Sequence, residues 1–427
     1  GQRQACKENR CPCTQTGDQK IQPQWHSRAA QKSRLMKLFP YGHATHPHWQ
    51  MAADMVLAQL RACMKQDMYA ARPGLGLIYI TDHLARYAQD LLDHLAEELP
   101  GVKHWSGTVG VGILSNNVEY FDEPALAVML CDIAEQDYRV FSGASPLGQA
   151  RASGFVAHTA LVHADGHTPE LSELIEELAG STQSGFVFGG LSSSRADNLQ
   201  FARGSGTALQ AAGRGHGVYQ GGLSGVAFSA AVPMHTRVTQ GCRPIGEVRE
   251  ITQVREHVVM SLDNSPALYA LMQDLHVPID NPRSAVDQVR ETLAGLAMPG
   301  QPVLRLTGGL DDAVMVRHII GLDPVRHGVA IAHHVQAGMH VAFCKRDAAS
   351  AKADLLRIAT EIRDSLEPED QSAEEAAMLA DTPLSQPHPA RRIAGAIYVS
   401  CTGRGGPHFG APHAELQIIR RALGDVP

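Results

Sequence analysis

No apolar run in this 427-residue chain approaches the roughly 20 residues that a bilayer-spanning helix needs. No basic segment followed by an apolar stretch opens the chain, so no secretory signal is expected. An excess of positive charge is also missing: 37 Lys/Arg stand against 44 Asp/Glu, a net charge of −7. The first 35 residues hold seven Lys/Arg and two Asp/Glu, which leaves −12 on the remainder. An acidic body argues against nonspecific nucleic-acid binding, which requires a cationic surface. Cysteine is sparse, eight residues scattered over the chain, and fits reduced thiols better than a disulfide framework. The expectation is a cytoplasmic protein with neither a membrane nor a nucleic acid as partner.

The familiar catalytic signatures are absent as well. There is no P-loop lysine motif and no dinucleotide fingerprint. Gly107, Gly110 and Gly112, and Gly213, Gly215 and Gly217, lack the spacing of a phosphate cradle. Neither HExxH nor the GxSxG elbow occurs. A cysteine-phosphatase loop at Cys401 would need arginine six positions on, where Pro407 stands. Cys6, Cys11 and Cys13 have no fourth ligand at zinc-like spacing. His43, His46 and His48 precede a helix. His333 and His334 are neighbours on an expected strand, so they face opposite ways and cannot serve one metal. No metal site is expected. Haem attachment through Cys-x-x-Cys-His is absent, which leaves only a non-covalent haem on a single His or Cys.

Hydrophobic residues make up 44% and charged residues 19%, enough apolar material for sizeable cores. Residues 1–35 show little apolar periodicity and are expected to be a disordered or non-native extension ahead of Met36. Helix signals begin at Pro47 and run to about Gln66. Leu75–Ile80 reads as a strand. Thr81 or Asp82 is placed to cap a helix reaching Leu99, with Leu84, Leu91, Leu92, Leu95 and Leu99 inward. Further strands are expected at 105–114, 125–131, 155–163, 185–190, 199–203 and 223–230, with a helix capped by Thr168 and running through Ala179. A second region begins near Val238. It has a hairpin at 251–254 and 258–262, a helix from Ser265-Pro266 to Leu275, and strands at 303–306, 314–320, 329–334 and 339–344. A long helix over 348–366 precedes a poorly periodic acidic segment, 367–392, read as a loop insertion. No repeat of fixed period is evident.

The last unit carries the most chemistry. Ile397-Tyr398-Val399-Ser400 reads as an apolar strand that stops at Cys401, and a Gly403-Arg404-Gly405-Gly406 turn leads to a helix. Glycines there let a ligand approach the backbone, and the helix start offers free N–H groups to an anion. Cys401 is either a small buried hydrophobe, a ligand contact, or a nucleophile with His408 as base. In Gly241-Cys242-Arg243-Pro244, Arg243 is able to clamp a carboxylate bidentately or to face solvent on an ordinary turn. Ser192 and Ser193, after Gly189-Gly190, offer hydroxyls at a strand end or simply satisfy a turn.

These stretches carry a family resemblance. Gly241-Cys242-Arg243-Pro244-Ile245-Gly246, the hairpin after it and Ser265-Pro266-Ala267-Leu268 are followed far downstream by Ser400-Cys401-Thr402-Gly403-Arg404-Gly405 and His413-Ala414-Glu415. With Phe186–Gly190, Leu191-Ser192-Ser193 and Gly222–Phe228, they resemble the FIST family (F-box and intracellular signal transduction) over roughly Met36 to Pro427. The resemblance implies a sensory input protein that binds small ligands such as amino acids and signals to a partner such as a histidine kinase. It also implies an alternative, since some bacterial members are haem proteins that sense nitric oxide. Nothing here resembles an F-box. Family members continue past the last helix into an apolar strand that this chain lacks, so a truncated C-terminal domain is expected.

The expected architecture is α/β (mixed α+β) in two domains, 36–237 and 238–427, each with a mixed or largely antiparallel sheet covered by helices. The expected ligand site is a cleft lined by Gly241, Cys242, Arg243 and Pro244 on one side and Cys401, Gly403, Arg404 and Gly405 on the other, with Ser192 and Ser193 nearby. No enzymatic activity is expected; a hydrolase using Cys401 is the alternative.

Overall fold

The computed structural model describes residues 37–150, 154–204, 216–277, 288–305, 309–311, 313–366, 393–403 and 406–427. The extension at 1–35, the insertion at 367–392, and Arg404 and Gly405 therefore lie outside the described residues. Among those described, seven α-helices and four sheets make a mixed α/β protein.

Two sheets build the first half. Sheet I runs in the spatial order Tyr41–Thr45, Ala125–Cys131, Leu75–Thr81, His104–Gly110, Leu199–Arg203, Val218–Gln220. Sheet II runs Tyr138–Phe141, Leu223–Phe228, Thr159–Asp165, Val187–Ser192. Each contains one parallel pair bridged by a helix, Leu75–Thr81 with His104–Gly110 and Thr159–Asp165 with Val187–Ser192; the other pairings are antiparallel.

The strand Leu75–Thr81 is almost wholly apolar because both of its faces are covered. Ile78 and Ile80 pack with Trp105, Phe201 and the helices Trp49–Met64 and Ala88–Glu98. Those helices present Ala53, Val56, Leu57 and Leu60, and Leu91, Leu92 and Leu95, as single apolar stripes. The opposite face, Leu75 and Leu77, meets Leu161, Val226 and Phe228 of sheet II. Sheet II in turn buries Ala160, Val162 and Ala227 against Leu178 of the helix Leu171–Gly180. The layers are therefore helix, sheet, sheet, helix.

The two sheets share one connectivity. Tyr41–Thr45, Ala125–Cys131, Leu75–Thr81 and His104–Gly110 lie side by side in sheet I as Tyr138–Phe141, Leu223–Phe228, Thr159–Asp165 and Val187–Ser192 do in sheet II. Ile78 pairs with Gly107 in the first parallel unit, and Val162 with Gly189 in the second. Both glycines have positive φ, +156° and +142°. A Cβ on either would come within 1.7 Å of the Ile78 carbonyl oxygen or 1.9 Å of that of Val162. The first half is thus an internal duplication that no fixed period reveals, because the equivalent segments are separated by loops of different length.

The symmetry breaks at the hairpins. Leu199–Arg203 and Val218–Gln220 extend sheet I beside His104–Gly110. Their counterparts, Gly112–Ser115 and Val118–Phe121, do not extend sheet II but pair as a separate two-stranded sheet. An isolated bridge joins Gly110, just ahead of that hairpin, to Ser193 at the end of the parallel unit in sheet II.

The second half closes on itself. Arg249–Arg255, Val258–Leu262, Gly328–Ile331, Met315–Asp323, Thr292–Ala297 and His340–Arg346 pair antiparallel in a ring, and Cys242–Pro244 adds beside the end of the last. A ring has no open edge. Leu296, Val341, Phe343 and Ile331 pack inside with the helix Ala267–Asp274.

Several expectations shift. Thr81 does not cap a helix; its hydroxyl donates to the Glu123 carbonyl (2.7 Å) and accepts from the Ala125 N–H (2.8 Å), tying two strands together. Thr168 accepts from the Gly222 N–H at 2.8 Å, and its helix starts later, at Leu171. Where a strand was expected over 303–306, the described residues 303–305 give only an isolated Leu304–Leu310 bridge. The fully buried Thr292–Ala297, rich in Ala and Gly, is a strand the sequence hides. The helix Ala348–Leu366 falls where its periodicity places it.

If the duplicated glycines are required by close backbone approach, Gly107→Ala and Gly189→Ala each destabilise the protein by more than ~1 kcal/mol. Urea denaturation tests this; an unchanged midpoint for both contradicts it. Gly101→Ala, with open space around its Cβ, is the neutral control.

Candidate ligand-binding cavity

A cavity of about 260 Å³ opens where the hairpin symmetry is broken. Its walls come from the ends of the parallel strands (Thr108–Gly110 and Gly189–Leu191), the displaced hairpin 112–117, and the segments 396–400 and 416–427. Ile113, Leu114, Leu191, Val399 and Leu416 make much of the lining apolar. Ligand sites favour this location, outside the carboxyl ends of sheet strands.

Two polar pairs bridge the sheets at its floor. Tyr79 and His163, one residue beyond the duplicated Ile78 and Val162, meet with the phenol oxygen 3.2 Å from Nε2. Their rings stand edge to face at 5.6 Å. Thr108 and Ser192 hydroxyls lie 2.5 Å apart, and Thr108 also donates to the Leu199 carbonyl at 2.9 Å. Burial disfavours the charged imidazolium and lowers His163 to about 4; the ring is neutral at physiological pH.

The roof is the end of the chain. Residues 393–400, of which Ile397–Ser400 were expected as a strand, belong to no sheet. They are held by a Phe39 N–H to Ala394 carbonyl bond (2.8 Å) and by the Ala396 N–H donating to the Pro427 carbonyl (2.8 Å). Val399 packs over Gly190, whose added Cβ would lie 3.1 Å from it. Two buried carboxylates fix this roof. Glu119, on the displaced hairpin, accepts from the backbone N–H groups of His413 (3.2 Å) and Leu416 (3.3 Å) at the start of the helix Ala414–Leu423. An acid there satisfies free N–H groups and the positive end of the helix dipole. The His413 imidazole accepts from the Glu119 N–H in return, at 3.0 Å. Glu415 accepts from the hydroxyls of Tyr398 and Ser400. At the rim Arg420 pairs with Asp425 at 3.4 Å.

The sequence candidates do not converge in one cleft. Ser193 lines the cavity, and Ser192 lies behind it on Thr108. Ser400 and Thr402 also line it, whereas Cys401 and Gly403 are exposed and outside the lining. Arg404 and Gly405 fall outside the described residues. Gly241, Cys242, Arg243 and Pro244 are elsewhere. Gly241 takes a positive φ of 60°, and the Asp354 carboxylate accepts from its N–H at 3.0 Å. Cys242 is buried, and Cys242–Pro244 is a strand on the ring. Arg243 pairs with Asp347 at 2.8 Å. The surface-turn alternative therefore describes Arg243 better than the clamp. Sequence reasoning missed Tyr79, Thr108, His163, Glu119 and Arg420. Two signals existed: a histidine inside an apolar strand, and a glutamate flanked by Val118 and Tyr120 in a hairpin.

The buried, neutral His163 gives a pH signature. An unfolded histidine titrates near 6.5, so between there and about 4 the unfolded chain binds a proton the folded chain refuses. Stability falls as pH drops through this window, by at most ~3 kcal/mol from this residue. His43 and His104, also lowered by burial, add to the slope. His163→Asn flattens the fall between pH 7 and pH 5 in urea titrations; an unchanged slope contradicts the assignment.

Comparison with known proteins agrees with the residue pattern. The FIST N domain model matches residues 74–265 and the FIST C domain model residues 279–427. An uncharacterized protein of Mycobacterium tuberculosis strain ATCC 25618 / H37Rv, Rv0628c, is 27% identical over 398 residues, covering 90% of this chain and 91% of its own. A second, Mb0898c of Mycobacterium bovis, is 28% identical over 336 residues, covering 75% and 74%. FIST domains are associated with small-ligand sensing and signalling. Among the described residues no helix is long and apolar enough to cross a membrane. The two domain matches together span most of the chain, and the protein belongs to the FIST family.

Proposed function

We propose that this protein is a cytoplasmic sensory input module that binds a small ligand in the cavity between its sheet ends and the last segment of the chain, and signals occupancy to a partner such as a histidine kinase. One observation carries the reading: the cavity wall is assembled from distant parts of the chain, from residues within 108–117 and 189–193 on one side and within 396–402 and 416–427 on the other. A ligand touching both sides binds better when they are together than when they part. Such differential affinity is what lets a ligand shift a conformational equilibrium. The small volume suits a ligand of amino-acid size. Arg420 and Asp425 at the rim suit the two charges of a zwitterion.

The module does no chemistry in this reading. Cys401 is exposed and lies outside the cavity lining. A haem fits poorly. The cavity falls below the roughly 300 Å³ at which sites for drug-sized ligands begin, and the Nε2 of its histidine faces the Tyr79 phenol.

A thermal-shift screen of the proteinogenic amino acids tests the reading. A ligand at 100 times its Kd stabilises by ~2.7 kcal/mol, which raises Tm. Gly190→Leu, whose side chain would run into Val399 at the cavity mouth, removes the shift while leaving cooperative unfolding. Absence of any shift in the unmodified protein refutes the amino-acid assignment, and a shift that survives Gly190→Leu moves the site elsewhere.

A further inference from the structure

The helix Trp49–Met64 has two apolar faces. One carries Ala53, Val56, Leu57 and Leu60 and is buried against sheet I. The other carries Met51, Met55, Ala58 and Ala62. At 3.6 residues per turn these four fall in one narrow stripe, on the side of the helix away from the first. All four are exposed, Met51 at 50% and Met55 at 45%. A lone exposed methionine needs no explanation, but a contiguous apolar stripe along a helix does. The spacing of four, three and four residues is that of a helix–helix seam.

The stripe is complementary to itself when run antiparallel. In a pair centred between Met55 and Ala58, Met55 lies on Ala58 of a second copy, and Met51 lies on Ala62. Large meets small at every step, which lets the two surfaces interdigitate. The same alignment sets opposite charges together. Asp54 and Arg61 border the stripe on one side, seven residues apart. Antiparallel pairing brings Asp54 beside Arg61 of the second copy, and the twofold axis makes the contact twice.

A parallel pair loses both features. It sets methionine on methionine, and Asp54 beside Gln59. Gln59 is uncharged, and its amide is already bonded to the His43 backbone at 3.2 and 2.8 Å. Within one chain Asp54 lies 3.2 Å from His94, and Arg61 lies 2.6 Å from Glu98, both on the neighbouring helix Ala88–Glu98. The Asp54 and Arg61 side chains stay 62% and 46% exposed. Such solvated pairs contribute little, so they do not prevent either group from meeting a second partner.

We propose that this face is a self-association surface, through which two copies of the chain pair by antiparallel Trp49–Met64 helices. The inference stands apart from the cavity and its ligand. Four residues per copy make a small seam beside the roughly 1,200–2,000 Å² that standard interfaces bury, so the dimer is weak and its population follows concentration.

Sedimentation velocity on the full chain over a hundredfold range of concentration tests this. The weight-average mass is expected to climb from one copy towards two. Met55→Lys puts a charge at the centre of the seam and is expected to weaken association at least tenfold. Asp54→Arg and Arg61→Asp each set like charges opposite one another, and each alone is expected to weaken it at least fivefold. Mixing these two variants in equal amounts restores association as a mixed pair, and the double variant Asp54→Arg/Arg61→Asp restores it in one chain. All these positions are exposed, and unchanged Tm values for the variants exclude misfolding as the cause. A single-copy mass at every concentration overturns the proposal, as does a dimer indifferent to Met55→Lys. Single charge reversals that change nothing, or that no mixture rescues, overturn the antiparallel pairing.

Discussion

Everything at the candidate site depends on two sheets packing face to face. Their shared layer must exclude water over Leu75, Leu77, Leu161, Val226 and Phe228 for the sandwich to hold. That apolar end fixes the separation of the sheets, and so sets how close Tyr79 comes to His163 and Thr108 to Ser192. Were the layer apolar throughout, it would be a better core and no site. The polar end is a local inconsistency of the kind that proteins retain for function.

Duplication explains where the opening lies. Two copies of one unit would bury both parallel-strand ends alike if each hairpin extended the sheet it follows. One hairpin extends sheet I, and the other stands apart. The gap beside Val187–Ser192 is what the chain's last segment covers. That cover is attached through Glu119 at the start of the last helix, and Glu415 holds residues 398 and 400 to the same helix. Cavity, hairpin and roof are therefore one mechanical unit, though they come from both ends of the described chain.

Much of the fold was legible in the sequence. The long helix Ala348–Leu366 and the hairpin Arg249–Arg255/Val258–Leu262 are regular and locally signalled, and they fall where periodicity puts them. Thr292–Ala297 escaped because Ala and Gly carry little strand propensity, and only tertiary burial makes it a strand. The sheet-to-sheet duplication escaped because it lies in register and strand order. At the cavity, the glycine-rich strand end pointed to Ser193, which lines it, whereas Ser400 and Thr402 line it beside the expected Cys401 and Gly403, which do not. Arg243 drew attention by its motif, yet Asp347, 104 positions away, is its partner. His163 and Glu119 carried only weak local signals for the same reason: their roles depend on partners 84 and 294 positions distant.

The account's central claim is that ligand binding joins the sheet ends to the roof. Hydrogen–deuterium exchange, with and without the most stabilising compound of an amino-acid panel, measures this directly. The account predicts added protection in 189–193 and 396–403 together, with 241–244 unchanged. Protection centred on 241–244 and 344–347, with the roof unaffected, would contradict it.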